Sequence, residues 1–227
     1  HWNDTAPTSS VFSVGTSGTT NGNGKTYVAY VFAGGESTAA TARSVDFDGS
    51  NDALTLAATD DFDFGTGDFT IECWVKPDGT SGSGIMSLGN YSNAGGFEIW
   101  YTATSVNWYF HNGSSAGYRF TGVTGAVPTG LWTHIALVRS GNDIKLYTNG
   151  IWRGTYNDGA KSVGHNSNNF LRVGCSGSAS AGSFFDGMIS NFRIVKGTAV
   201  YTSDFKPPTE PLTSITNTKI LFCNNSS

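Results

Sequence analysis

The chain is expected to be all-β, a two-sheet antiparallel jelly-roll sandwich with a short N-terminal extended segment. Three observations lead there. From Arg43 onward, about ten short stretches of alternating apolar and polar residues are separated by Gly, Asn and Asp, the pattern of half-buried strands joined by tight turns. Only 13% of the residues are charged while 30 of 227 are glycine, a balance that disfavours long surface helices. No unit of roughly 20 to 50 residues repeats, which disfavours propellers and solenoids and leaves a jelly roll. A single sandwich can reach this length.

Taken in order, residues 1–42 read as an N-terminal extension or the remnant of a preceding domain plus a linker, and residues 43–227 as the sandwich. Val11–Val14 and Tyr27–Phe32 look like short strands joined by the Gly/Ser/Thr/Asn run of residues 15–24, and residues 34–42 are small and polar. The start at His1 rather than Met is expected of a processed or excised fragment. In Phe69–Val75 the odd positions are apolar and the even ones are Thr70, Glu72 and Trp74, so one face enters the core and the other is expected to be semi-exposed. Asp143–Thr148 and Ile151–Tyr156 flank Asn149-Gly150, the pair that most readily takes two positive φ values, which predicts a hairpin with a type I′ turn. One helical turn is expected near Thr198–Tyr201, because Pro207, Pro208 and Pro211 bar regular structure just downstream, and Lys219–Phe222 is expected to close the fold as a strand.

Thirteen Lys and Arg against 17 Asp and Glu leave a net charge of −4, so the general attraction to phosphate backbones is missing and no nucleic-acid partner is expected. No apolar run approaches the roughly 18 residues of a membrane helix, and no membrane insertion is expected. Cys73, Cys175 and Cys223 are odd in number and widely spaced, unlike a disulfide framework or a zinc site. Cys73 alternates in phase with Phe69, Ile71 and Val75 and reads as a reduced core thiol. His1, His111, His134 and His165 form no metal-gripping pair. His134 reads as a satisfied, half-buried histidine with Trp132 packed beside it. Five N-x-[ST] patterns, such as Asn112-Gly-Ser114, are what an Asn/Ser/Thr-rich chain produces by chance.

Several phrases stand in a familiar order: residues 45–52 (VDFDGSND), 64–75 (FGTGDFTIECWV), 132–139 (WTHIALVR), 146–150 (LYTNG) and 185–194 (FDGMISNFRI). Together, over roughly Arg43 to Phe222, they resemble the laminin-G-like, concanavalin A-like lectin/glucanase superfamily. The resemblance implies two curved antiparallel sheets. Residues 196–208 (KGTAVYTSDFKPP) are similar to the form of this module found in bacteriophage structural and tail proteins, and residues 2–12 with 27–32 to a segment of marine phage virion proteins. That implies a virion or extracellular surface location, with other virion subunits or further copies of the chain as partners.

The superfamily includes glucanases, so catalysis is weighed on chemistry. Retaining hydrolysis needs two carboxylates about 5 to 5.5 Å apart, which an E-x-D-x-E strand supplies. Glu36, Glu72, Glu98 and Glu210 each stand alone, Asp46/Asp48 and Asp61/Asp63 lie in turn-rich segments, and no Ser/His/Asp grouping is evident. A non-catalytic structural or adhesive module is therefore expected, with a polysaccharide-cleaving glucanase-like enzyme as the alternative.

For binding, phase decides. If Phe97, Ile99 and Tyr101 face the core, as do Val106, Trp108 and Phe110, then Glu98, Trp100, Asn107, Tyr109, His111 and Arg119 share the opposite surface of three strands. Flat aromatic rings beside fixed donors and acceptors suit a sugar, whose C–H face stacks while its hydroxyls pair with polar groups. A neighbouring domain or another copy of the chain would compete for the same face. Seven of the thirteen aspartates lie within residues 46–68, and Asp46, Asp48 and Asp52 set hard oxygen ligands around a glycine turn, as Ca²⁺ prefers. By resemblance Asp186 joins them in a structural calcium site, although Ser190-Asn191 stands where many relatives carry Asp. The same residues also serve turns and caps.

Overall fold

A computed structural model describes residues 44–89, 92–120, 125–159, 161–164, 170–177 and 182–224. The expected N-terminal extension, with its strands at 11–14 and 27–32, lies outside them. Fifteen strands are formed among the described residues, more than the sequence makes evident, because several are only two or three residues long. They are β1 (Ser44–Asp48), β2 (Leu54–Leu56), β3 (Phe69–Pro77), β4 (Ser83–Leu88), β5 (Phe97–Thr102), β6 (Ser105–His111), β7 (Ala116–Phe120), β8 (Thr133–Ser140), β9 (Asp143–Thr148), β10 (Ile151–Asn157), β11 (Leu171–Val173), β12 (Cys175–Ser176), β13 (Gly182–Phe184), β14 (Asp186–Lys196) and β15 (Thr218–Phe222). One sheet runs β1-β14-β3-β8-β9-β10 with β15 also on β14; the second runs β2-β11-β4-β5-β6-β7; β12 and β13 form a two-stranded ribbon. The expected sandwich is what the chain adopts.

The core lies between the two large sheets and follows from the alternation. Phe69, Ile71, Cys73 and Val75 of β3, Ile135 and Leu137 of β8, and Ile144 and Leu146 of β9 meet Phe97, Ile99 and Tyr101 of β5 and Val106, Trp108 and Phe110 of β6. Trp108 is fully buried and lies against Phe97, Phe110, Phe120 and Tyr156, so it bridges the sheets at one end. Cys73 is buried, and burial raises its thiol pKa far above the ordinary value, which keeps it protonated and inert. The β9–β10 hairpin turns on Asn149 (φ 49°) and Gly150 (φ 74°), as expected of a type I′ turn. A side chain at Gly150 would strike the carbonyl of Phe205, so this glycine serves a close backbone approach as well as the turn.

That approach belongs to a strap, residues 197–217, running over the outer face of the seven-stranded sheet. Here the structure corrects two expectations. Thr198–Tyr201 is not helical; it is irregular with a bend at Val200 and is tied to the sheet by Thr70, whose Oγ1 donates to the Thr198 carbonyl (2.9 Å) and accepts from the Val200 amide (2.9 Å). Among the described residues the single 3₁₀ turn falls at Asp60–Phe62 instead, capped by Thr59. The outer face of β3 is not semi-exposed either: Thr70 and Glu72 are fully buried beneath the strap, whose Ala199, Tyr201 and Phe205 pack on Ala136, Val138 and Tyr147, and Trp74 is nearly so with Trp132 packed on it.

Beneath the strap sits an ionic cluster. Arg193 donates to Glu72 Oε1 through Nε (2.9 Å) and Nη2 (2.5 Å), and to the Thr213 carbonyl through Nη1 (2.9 Å). The Tyr201 hydroxyl donates to Glu72 Oε2 (2.8 Å), which also lies 3.1 Å from His134 Nε2. Burial alone would raise the Glu72 pKa, but His134 and Arg193 outweigh it and hold the carboxyl below its ordinary value. His134 is fully buried rather than half-buried. Trp74, not Trp132, meets its ring, edge-on at 5.4 Å, and Trp132 packs on Trp74 one step further out. Among the described residues no helix is long and apolar enough to cross a membrane.

Candidate functional site

The six-stranded sheet has a different outer face, set by register. Phe97↔Phe110 and Ile99↔Trp108 are inward pairs, so the alternating pairs Glu98↔Tyr109 and Trp100↔Asn107 point outward, continued by His111. The structure thus brings five of the six expected surface residues onto one face. On β4 and β11 the same face continues with Ser87, opposite Glu98, and Arg172, opposite Ser87 and Thr55. One row, Thr55–Arg172–Ser87–Glu98–Tyr109, therefore crosses five adjacent strands.

Arg119 departs from the expectation. Trp108 pairs with Phe120 and Tyr109 with Tyr118, so Arg119 is the extra residue of a bulge and strict alternation breaks there. Its guanidinium lies 5.5 Å over the Tyr156 ring, and Nη2 donates to the Ser115 carbonyl at 2.6 Å. It clamps the β6–β7 edge rather than standing beside Tyr109.

The face is also not uniformly open. The β12–β13 ribbon folds over the β4 side: a side chain at Gly84, the register partner of Trp100, would collide with the Cys175–Ser176 backbone, so only glycine admits the ribbon. Glu98, under it, and Asn107 are each 4% exposed, where the sequence led one to expect surface positions. The Ser176 hydroxyl donates to Glu98 Oε2. Burial raises the Glu98 pKa, and the Ser176 bond only partly offsets this. Beyond the ribbon, Trp100, Tyr109 and His111 are partly exposed. The Trp100 indole lies across Gly82, and His111 Nδ1 accepts from the Gly113 amide (3.1 Å). Diagonal neighbours such as Trp100 and Tyr109 stand about 7–8 Å apart at the backbone, within reach of one ligand.

Arg172 is the residue the sequence reading missed. It is 9% exposed and stacks on the Phe170 ring at 4.0 Å, and its buried Nη1 has no hydrogen-bond partner. The signal was an Arg set between the apolar Leu171 and Val173, but a three-residue strand is too short for alternation to assign it a face.

The four expected calcium ligands do not form one group. Asp48 and Asp186 are register partners at the end of β1 and β14, and both line a cavity of about 170 Å³ with Gly49, Gly79, Ser81, Ser83 and Phe184. Asp52 Oδ2 accepts the Asp48 amide (3.2 Å), and Asp48 Oδ1 accepts the amides of Ser50 (2.8 Å) and Asn51 (3.3 Å), so the loop uses these oxygens to hold its own turn. Asp46 lies two residues up the strand, opposite Met188. Among the described residues no three His, Cys, Asp or Glu side chains are placed to share a metal ion. Ser190 and Asn191 serve structure: the Ser190 hydroxyl donates to the Cys223 carbonyl (3.2 Å) and Asn191 Oδ1 accepts the Leu212 amide (2.7 Å).

The profile of one protein family, described as the concanavalin A-like lectin/glucanases superfamily, matches residues 48–200. No curated protein sequence matches the chain. Among solved structures, the CBM40 of the Ruminococcus gnavus IT-sialidase bound to α2,3-sialyllactose superposes with a TM-score of 0.54 at 15% identity, over 70% of this chain and 94% of that one. A Bacteroides ovatus protein solved as a candidate carbohydrate-binding protein gives a TM-score of 0.59 at 15% identity, over 80% of this chain and 51% of that one. At these identities the likeness is one of fold.

Proposed function

From a chain that belongs to the concanavalin A-like lectin/glucanase superfamily, we propose a non-catalytic adhesive module that binds carbohydrate on the outer face of its six-stranded sheet. The observation that carries this is the register pairing of Trp100 with Asn107 and of Glu98 with Tyr109 on one face, with both aromatic rings partly exposed beside polar side chains. The CBM40 that shares the fold was solved with a bound sialyllactose, which supports the sugar reading. Cleavage is disfavoured on chemistry: Glu98 is the one acidic residue in the six strands of this sheet, and glycoside hydrolysis uses two carboxylates. The setting we propose is an extracellular or virion surface, with other virion subunits or further copies as neighbours; the support for it is the phage-like phrase at residues 196–208. Calcium stays a proposal centred on Asp48 and Asp186, two carboxylates and two serines around a cavity, for an ion that takes six to eight oxygens.

A glycan array tests the main reading. The parent chain should be retained on at least one immobilised oligosaccharide, and the Trp100→Ala, Tyr109→Ala double variant should lose that retention with its melting temperature little changed. Equal retention of both proteins would remove this face from contention.

A further inference from the structure

Two Asn-Gly pairs lie among the described residues, and the fold holds them differently. In any such pair the glycine nitrogen can attack the asparagine side chain, because no Cβ shields it. At Asn149-Gly150 the fold opposes this. Asn149 Oδ1 accepts from the His134 amide (2.9 Å), which draws the side chain toward β8, and the Gly150 carbonyl accepts from the Phe205 amide (2.9 Å), which fixes the turn under the strap. At Asn112-Gly113, in the loop joining β6 to β7, the side chain curls back over its own turn. Its Oδ1 accepts from the amides of Ser114 (3.1 Å) and Ser115 (3.0 Å), while the Gly113 amide donates to His111 Nδ1 (3.1 Å). Gly113 has φ 91°, and nothing lies within 4 Å of where a Cβ would stand. Asn112 is half-buried and residues 113–115 are exposed, so water reaches the loop.

We propose that Asn112 is a modification site at which the chain deamidates itself, with Gly113 as the nucleophile and His111 as the base. The Gly113 nitrogen attacks Asn112 Cγ while its proton passes to His111 Nδ1, the ring nitrogen that already accepts from it. The carbonyl electrons move onto Oδ1, where the Ser114 and Ser115 amides point and hold the oxyanion. The intermediate collapses as the Cγ–Nδ2 bond breaks: Nδ2 leaves as ammonia with the proton that His111 took up, and a cyclic imide joins residues 112 and 113. Water then adds to one imide carbonyl and opens the ring to aspartate or isoaspartate. No oxidant or reductant takes part, and the imidazole is regenerated. The run His111-Asn112-Gly113-Ser114-Ser115 thus sets base, side-chain amide, nucleophile and two oxyanion donors in succession. The product adds a negative charge at the edge of the face that carries Tyr109 and His111, whatever that face binds.

The test is peptide mapping of the full chain aged at pH 7, with aspartate and isoaspartate scored at each asparagine. Asn112 should convert at least about tenfold faster than Asn149, and at least about tenfold faster in the folded chain than in guanidinium chloride, where the loop geometry is lost. His111→Gln keeps an acceptor for the Gly113 amide but supplies no base. It should slow conversion at Asn112 at least about tenfold, toward the hundredfold or more that a positioned base contributes, and free imidazole should restore part of the loss. If His111→Gln does not fold, the folded and denatured parent still decide the matter. A smaller difference between Asn112 and Asn149, or between folded and denatured chain, would overturn the proposal. Conversion at Asn112 as fast in folded His111→Gln as in the parent would overturn it too, by showing an exposed Asn-Gly pair that reacts unaided.

Discussion

The two sheets of this sandwich expose outer faces of opposite construction. The face of the seven-stranded sheet is closed by the chain's own strap, and its buried charges have partners: Glu72 is held by Arg193, His134 and Tyr201. The face of the six-stranded sheet is half covered by a two-stranded ribbon, and its buried charges are poorly served, with one serine on Glu98 and one ring on Arg172. The same alternation produced both faces. What separates them is whether the chain returns with polar groups to meet the charges it has buried, and a face where it does not is the better candidate for something from outside.

The largest effect that would sharpen this contrast comes from Glu72. Glu72→Gln leaves Arg193 buried without a charge partner and should cost about 3–5 kcal/mol in urea unfolding at pH 7. Glu98→Gln removes a carboxylate whose ionisation burial opposes, and its stability at pH 7 should equal or exceed that of the parent. A comparable loss in both variants would break the comparison. Next in size, Tyr201→Phe deletes one hydrogen bond to a carboxylate and should cost about 1.5–3 kcal/mol by the same measurement.

The pH dependence of unfolding carries the same opposition. The Glu72 carboxyl is held below its ordinary pKa of 4.5, so the stability it contributes is complete above that value and is lost as pH falls below it toward the lowered native value. The Glu98 carboxyl is raised, so its contribution is complete below 4.5 and is lost as pH rises through the raised native value. Chemical denaturation of parent and variants between pH 3 and 8 should therefore show Glu72→Gln flattening the acid limb and Glu98→Gln flattening a decline on the other side of 4.5. The smallest effect concerns the Asp48–Asp186 cavity: if calcium enters there, EDTA should lower the melting temperature by a few degrees, and Asp186→Asn should abolish that sensitivity.

Local pattern made one side of each strand legible. Phe69, Ile71, Cys73 and Val75 enter the core as their spacing requires, and the outward phase of Glu98, Trp100, Asn107, Tyr109 and His111 follows from that of Phe97 and Trp108. Period two says which residues share a face; it does not say what later covers that face. Glu72 is buried by a strap more than 120 residues downstream, Trp74 by Trp132, and Glu98 by the ribbon of β12 and β13, whose Ser176 donates to it. Arg119 was misassigned because a single bulge shifts alternation by one residue, and nothing in the run Tyr118-Arg119-Phe120 marks it. Asp46, Asp48 and Asp52 read as ligands from composition, yet Asp48 and Asp52 spend carboxylate oxygens on a turn that the same composition equally encodes.

Hydroxyl-radical footprinting, with and without the best-retained oligosaccharide, tests which face binds. Trp152 is a built-in control: it stands 52% exposed on the edge strand of the opposite sheet. Ligand should protect Trp100 and Tyr109 from oxidation and leave Trp152 as reactive as before. Protection of Trp152 with Trp100 and Tyr109 unchanged would contradict the account.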